Sequence, residues 1–538
     1  MRLLSLWLPL LVLPLAVVPV LFTYFLGIYP DEVAFKLFLE RYFLAEGIRQ
    51  GLFPYCTSGF MRPTPITLIP AGIVWSSLTM LGDGFLSYRA LPWLGIAFLY
   101  GVIVRENRQA GSRHFWPILL LISLGPVLYG LIILRPEIIT LALAAALYLL
   151  GLRLAKTRQP YRRWLLLIAM LILYSMGVYV HAKMIFLAIL PLVALLLSLR
   201  QPGSLAERAV CALCFIAAFA GVTWQAIDLQ QQLAQCPEVP ALAQVNGGYS
   251  ANPLDLFRNP PHFFRELIAA QETLITQGYK KIFYLSAYEL PYLPPTTPTA
   301  WVQAGNVAIG IAIGFAIMTL VALAAATVWQ HRHRRTARGW LLITLALALL
   351  APFMLNKSRF FYEIAYGVGS LMVLLGLLWP LAQGRTQQWI GRFCLPLLVP
   401  IAALCLFVTA TSITQQQAAG FRGVNIPFFT NRGAWDARIR EALAQHGVTA
   451  SESLIIDEVA YDTLKHHPTL ISTAYYLYGR RFTEAATLLA PLQRHDVRHG
   501  LVECRHVPSL AEIFSLTVLE VLPPAYSNDY ELCLIARG

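Results

Sequence analysis

Apolar runs close to the roughly 20 residues that cross hydrocarbon as a helix recur along most of this chain. They lie near 5–28, 84–104, 115–134, 137–152, 164–180, 184–199, 208–228, 302–328, 340–355, 361–380 and 393–412. The pattern predicts a mainly α, polytopic membrane protein of about 11 transmembrane helices. Between the first two runs, residues 29–83 form a loop with a periodicity of its own. Val33 to Gln50 sets Phe35, Leu39 and Phe43 against Lys36, Glu40 and Arg41, which predicts a helix lying at the membrane interface. Pro63, Pro65 and Pro70 break the chain, and Ile73 to Leu81 is too short to span, so it reads as a second interfacial helix. A second large loop, 229–301, carries the turn signals Asn246-Gly247-Gly248, Asn259-Pro260-Pro261 and Leu293-Pro294-Pro295.

From Gln415 onward the pattern changes. Ser453 to Ile456 and Glu531 to Ile535 are strand-like, whereas Trp435 to Gln445 and Phe482 to Leu489 are helix-like. This tail has eleven Lys+Arg against thirteen Asp+Glu. The division expected is a transmembrane domain over 1–412 and a small α/β domain over 413–538. No repeat of fixed period interrupts either part.

Composition supports the membrane reading. The 538 residues are 57% hydrophobic and 13% charged, about half the usual charge of a soluble chain. The net charge of +13 is that of cytoplasmic loops under the positive-inside rule, and nucleic acid is not the expected partner. Alternate loops carry the basic residues. They are Arg105, Arg108 and Arg113, then Arg153, Lys156, Arg158, Arg162 and Arg163, then Arg200 and Arg208. Arg332, Arg334, Arg335 and Arg338 follow, and last Arg385 and Arg392. With these loops and Arg2 inside, the N-terminus is cytoplasmic and the 413–538 domain is extracytoplasmic. The first run is too long for the core of a signal peptide and no small-residue cleavage site ends it, so it is expected to stay as a helix. Cys211 and Cys214 sit in an apolar run, so zinc is not expected there. In the outer regions, Cys504 and Cys533, or Cys56 and Cys236, could pair, and sequence leaves the pairing open.

The remaining polar residues gather at the outer ends of the spans. They are Asp31 and Glu32, Arg135 and Glu137, His181 and Lys183, and Asn356, Lys357, Arg359, Tyr362 and Glu363. A transporter places such groups near the midplane, whereas this arrangement suits a reaction on a lipid head group. Asp31 is the candidate base, although an Asp there also caps the interfacial helix. Glu32 is its helper or a first-turn helix charge. Lys357, Arg359, Lys183 and Arg135 are candidates for a donor phosphate, with Glu137, His181 and Tyr362 as substrate contacts. The plain alternatives are an Arg135–Glu137 salt pair closing a hairpin, an interface histidine, and a lysine snorkelling to the surface. Cations on a polyprenyl phosphate stabilise the charge that grows as the glycosidic bond breaks, and a carboxylate takes the acceptor proton.

The acidic pair after the first span, the two interfacial helices, the stretch Lys357-Ser358-Arg359-Phe360-Phe361-Tyr362 opening a late span, and the outer C-terminal domain together resemble the GT-C superfamily of polytopic glycosyltransferases. That superfamily includes the lipid A aminoarabinose transferases, the protein O-mannosyltransferases and the oligosaccharyltransferase catalytic subunits. The resemblance implies that Asp31 activates the acceptor and that Lys357 and Arg359 hold the lipid phosphate. The Trp-Trp-Asp signature of oligosaccharyltransferases is absent, and no second acidic cluster demands a divalent ion, so no cofactor is expected. The function expected is an inverting glycosyltransferase in a bacterial inner membrane. It would take a polyprenyl-phosphate-linked sugar to a lipid or glycan acceptor among the membrane lipids. An O-antigen polymerase or ligase using diphosphate-linked glycans and a lipid-linked sugar transporter are the rival readings.

Overall fold

A computed structural model describes residues 2–23, 86–112, 114–124, 126–133, 135–180, 182–200, 204–235, 255–273, 299–331, 336–357, 361–382, 385–407, 432–457, 460–464, 466–473, 476–477, 485–522 and 531–538. The two predicted interfacial helices and the Cys56 and Cys236 pair lie outside the described residues. Contacts divide the chain into two compact units. One comprises Met1–Tyr24, Arg89–Ala226 and Ser250–Ser412, and the other Phe25–Tyr88, Ile227–Tyr249 and Ile413–Gly538.

The first unit is helical. Its helices are α1 (Arg2–Phe22), α2 (Leu86–Gln109), α3 (Pro126–Ile132), α4 (Pro136–Leu154), α5 (Pro160–Val180) and α6 (Ile189–Ser198). They continue as α7 (Leu205–Gln235), α8 (Pro260–Thr273), α9 (Thr299–His331), α10 (Ala337–Leu355) and α11 (Phe361–Leu378). Among the described residues five stretches are long and apolar enough to cross a membrane: Pro136–Leu154, Pro160–Val178, Leu205–Trp224, Val307–Thr327 and Ala337–Leu355. Each coincides with a predicted span. Shorter apolar helices occupy Pro9–Leu21, Lys183–Ser198, Tyr362–Leu378 and Leu398–Phe407.

The run predicted as one span near 115–134 is instead a 3-10 turn, Trp116–Leu121, followed by α3. Pro117 and Pro126 supply the reason, because each lacks a backbone donor and disfavours helix in the residue before it. The segment is apolar because it is enclosed: Ile118, Leu120, Leu121 and Ile122 are all fully buried. Hydropathy alone does not separate such a buried run from a span.

Close approach of helices in the first unit depends on small residues. A Cβ at Gly376 of α11 would meet the Ile103 side chain of α2 at 2.7, 2.8 and 2.9 Å. A β-branched side chain held at χ1 has little room to yield. Asn107 reinforces this contact, its side chain donating at 2.8 Å to the Gly376 carbonyl.

The second unit carries a five-stranded sheet in the order β2-β1-β3-β5-β4, with β1 Leu454–Ile456, β2 Leu470–Ser472, β3 His499–Glu503, β4 Leu516–Leu522 and β5 Leu532–Arg537. β2, β1 and β3 are parallel; β5 and β4 are antiparallel. Ile455, Ile471, Val502, Cys533 and Ile535 pack with Leu488 and Leu492 of the helix Ala485–Arg494. The intervening Leu454, Ile456, Leu501 and Leu534 are buried too, as expected of a sheet covered on both faces. The predicted strands at 453–456 and 531–535 correspond to β1 and β5, and the helix Arg432–Gln445 covers the stretch predicted from Trp435. Cys504 and Cys533 form a disulfide, which resolves that pairing.

Gly376→Ala should lower the unfolding stability of the detergent-solubilised protein by about 2 kcal/mol relative to Gly101→Ala. Gly101 lies on α2, where an added Cβ meets nothing within 4 Å. Thermal unfolding of the two variants side by side checks this; equal midpoints would refute the packing account.

Candidate active site

Helix direction brings the site together. α4 begins with Pro136 after Arg135 in an extended conformation (φ −140°, ψ 165°), and Glu137 falls in its first turn. Pro at this position costs no helix hydrogen bond, and a carboxylate in the first turn faces unsatisfied N–H groups. α11 begins at the same end of the bundle, with Glu363 in its first turn. α5 ends there and leads into the 3-10 turn Ala182–Ala188, which carries Lys183. α10 also ends there, with Asn356 as its C-cap. The opposite ends carry basic residues: Arg108 and Arg153 close α2 and α4, and Arg338 in the first turn of α10 pairs with Glu106 at 2.9 Å.

At the first end, Lys183 Nζ lies 3.2 Å from Glu363 Oε1 and 3.8 Å from Glu137 Oε1. Arg135 Nε reaches Glu137 Oε2 at 3.4 Å, and its guanidinium stacks 3.7 Å from the centre of the Tyr362 ring. Asn356 donates a hydrogen bond to the Glu363 carboxylate. The two carboxylate side chains are only 4% and 8% exposed, whereas Lys183 is 37% exposed. Among the described residues, Glu137 Oε1 and Glu363 Oε2 accept no hydrogen bond. A small cavity of about 20 Å³ opens against this group, lined by Glu137, Thr140, Lys183, Phe353, Asn356, Glu363 and others. Thr140 turns its hydroxyl inward to the Pro136 carbonyl at 2.7 Å, and Tyr366 donates to the Leu349 carbonyl at 3.1 Å.

Of the predicted site residues, Arg135, Glu137, Lys183 and Tyr362 therefore come together. Lys357 is held by Glu266 of α8, and Gln271 of the same helix donates to the Met354 carbonyl at 2.9 Å. Asp31, Glu32, His181 and Arg359 lie outside the described residues. Sequence reasoning gave no role to Glu363 or Asn356. Their signal was a carboxylate in the first turn of an otherwise apolar helix and an amide closing the preceding one. Chemically the group is two cations paired with two buried carboxylates, of which Lys183, the most exposed member, and both carboxylates line the cavity.

No family model matches the chain, and no curated protein matches it by sequence. Its fold is similar to that of ArnT from Cupriavidus metallidurans. Against the crystal structure bound to undecaprenyl phosphate the TM-score is 0.52 at 14% identity, covering 99% of this chain and 98% of that one. Against the apo structure it is 0.51 at 13% identity, over 98% and 97%. The apo oligosaccharyltransferase of Archaeoglobus fulgidus aligns with a TM-score of 0.45 and 11% identity over 93% of this chain and 71% of that one. The chain thus shares its fold with these ArnT structures over nearly all of its length.

Lys183→Met leaves Glu137 and Glu363 facing one another with less compensation, and should destabilise the protein by roughly 2 kcal/mol, reduced from the fully buried case because Lys183 is partly solvated. Adding Glu363→Gln should recover part of that loss. A double-mutant cycle on thermal unfolding measures the coupling, and a value of zero would remove the ion pair from the account of the site.

Proposed function

We propose that this protein is an inverting glycosyltransferase that moves a sugar from a polyprenyl-phosphate donor to an acceptor hydroxyl or similar nucleophile. The reaction takes place at the outer face of a bacterial inner membrane. The observation that carries this reading is a fold shared over 99% of the chain with a protein crystallised with undecaprenyl phosphate, together with the paired cations Arg135 and Lys183 at one end of the bundle. On this reading the chain has about 11 spans, a cytoplasmic N-terminus and an extracytoplasmic 413–538 domain.

The chemistry needs little machinery. The donor phosphate takes the place of a carboxylate as partner to Lys183 and Arg135, with Lys357 and Arg359 as further cations. Glu137 and Glu363 are positioning residues: both hold Lys183 at the cavity, and Glu137 also holds Arg135 beside it. Tyr362 fixes the plane of the Arg135 guanidinium, and His181 contacts the sugar or acceptor. Asp31 accepts the acceptor proton as the acceptor oxygen attacks the anomeric carbon, and Glu32 assists it. The bond from that carbon to the phosphate oxygen breaks, and polyprenyl phosphate leaves as the anion held by the cations. One displacement with one base gives inversion; a retaining course would need a second carboxylate as nucleophile. No step calls on a metal ion.

Asp31→Asn should abolish transfer from a polyprenyl-phosphate sugar while the protein stays monodisperse in detergent. Arg135→Ala should act instead mainly on the donor, raising its KM at least tenfold, about 1.4 kcal/mol of lost phosphate binding. Turnover of Asp31→Asn at the parent rate ends the assignment of the base. A preference for diphosphate-linked donors would move the protein to the polymerase or ligase reading.

A further inference from the structure

The C-terminal unit contains a second group of ionisable side chains that the transfer chemistry does not use. Asp457 follows the last residue of β1, Glu503 ends β3, and His506 closes the 3-10 turn Cys504–His506 just beyond it. One ligand atom from each lies within 4.8 Å of the other two. His506 Nδ1 is 3.5 Å from Asp457 Oδ2, and its Nε2 is 3.7 Å from Glu503 Oε2. The carboxylates are buried, with Asp457 and Glu503 3% and 1% exposed, while His506 is partly open to solvent.

Three observations point to a ligand rather than to a closed salt-bridge cluster. The first is the spacing. Bonds of about 2.0–2.1 Å to a tetrahedral ion put neighbouring ligand atoms about 3.4 Å apart, and the three groups, each offering a single atom and His506 a single ring nitrogen, already converge to within 4.8 Å. The second is incomplete pairing inside the protein. Among the described residues, His506 Nδ1 makes no hydrogen bond, and the imidazole stands 3.5 and 3.7 Å from its two carboxylates, while Glu503 Oε1 is taken by Arg505. The third is topology. β1 has β2 on one side and β3 on the other, all parallel, so the chain crosses back over β1 between β2 and β3. The crevice at the carboxyl ends of β1 and β3 is a topological switch point, the usual ligand position in an open α/β sheet. The amide of Asp457 donates to the Leu501 carbonyl at 2.8 Å, which fixes the two strand ends on which the carboxylates stand.

We infer that Asp457, Glu503 and His506 form a binding site for a divalent transition-metal ion in the C-terminal domain. Two carboxylates and an imidazole select a borderline ion such as Zn²⁺ or Co²⁺ over the oxygen-seeking Mg²⁺ and Ca²⁺. Arg505 fits as an outer partner, since it faces Glu503 Oε1 and leaves Oε2 toward the imidazole. Three protein ligands leave a fourth position on the exposed side of His506 for water or a ligand group.

The test uses the full-length protein in detergent, stripped with a chelator and titrated with Zn²⁺, Mn²⁺ or Mg²⁺. Metal retained after gel filtration is measured by elemental analysis, and Co²⁺ is followed by its visible absorption. The parent should hold one tight equivalent of Zn²⁺ or Co²⁺ that Mg²⁺ does not displace. His506→Gln should weaken that equivalent at least 100-fold, whereas His506→Cys, which keeps a metal-binding side chain, should retain it. Asp496→Asn, an exposed acid of the same domain, should leave it unchanged. A parent that binds no such equivalent, or one that His506→Gln and Asp457→Asn both leave intact, overturns the site. Because His506 lies at the surface, unchanged circular dichroism and elution volume separate loss of a ligand from loss of the fold.

Discussion

The architecture of the candidate active site depends on one constraint: two carboxylates inside a low-dielectric bundle must share a lysine. Glu137 and Glu363 stand in the first turns of two helices that start at the same end. There the helix dipoles and free N–H groups favour negative charge, but not enough to offset the cost of burying two anions together. Lys183 lies within 4 Å of both, and Arg135 completes the neutralisation of Glu137. Where these helices begin, how far the turn at 182–188 extends, and how closely α11 sits against its neighbours are therefore linked. A shift of α11 along its axis would carry Glu363 away from Lys183 and leave charge buried without a partner.

That balance also bears on the proposed chemistry. Lys183 is the solvent-facing member of the group, so on the proposed reading an arriving phosphate replaces a carboxylate as its partner. The carboxylates then limit how strongly the product phosphate is held, so that charge attraction does not trap the leaving lipid. Lys357, engaged with Glu266 on α8, shows the same logic one turn away: a base kept extended by an acid on a neighbouring element.

Much of this was legible in the sequence, for identifiable reasons. Spans such as 137–152 and 340–355 appeared because uninterrupted hydrophobicity is a strong signal, and the clustering of Arg135, Glu137 and Lys183 followed from counting which ends of the spans coincide. The broken segment at 115–134 was not legible, because a run enclosed by other helices is as apolar as one facing lipid. Glu363 was seen but given no role, since nothing in a linear chain says that residues 137 and 363 begin adjacent helices. In the second unit β1 and β5 showed themselves by continuous apolar character. β3, with His499 and Gly500 at its start, and β4, whose outward residues are exposed and mixed, lack that pattern and exist through pairing with β5.

The two units meet one electrostatic problem in two ways. Both place a pair of buried carboxylates at the ends of elements that chain topology forces to begin or finish together. In the bundle, Lys183 and Arg135 bring the countercharge on long side chains, and the charges balance within the protein. In the sheet, Arg505 pairs with Glu503, and the imidazole of His506 stands beside both carboxylates. A proton bonds linearly to one pair of atoms at a time, and the imidazole faces its two carboxylates at 3.5 and 3.7 Å, too far for strong hydrogen bonds to either. A metal ion bonded to one imidazole nitrogen and to one oxygen of each carboxylate would contact all three groups at once, which is why the occupant inferred for the sheet is a cation and the one proposed for the bundle an anion.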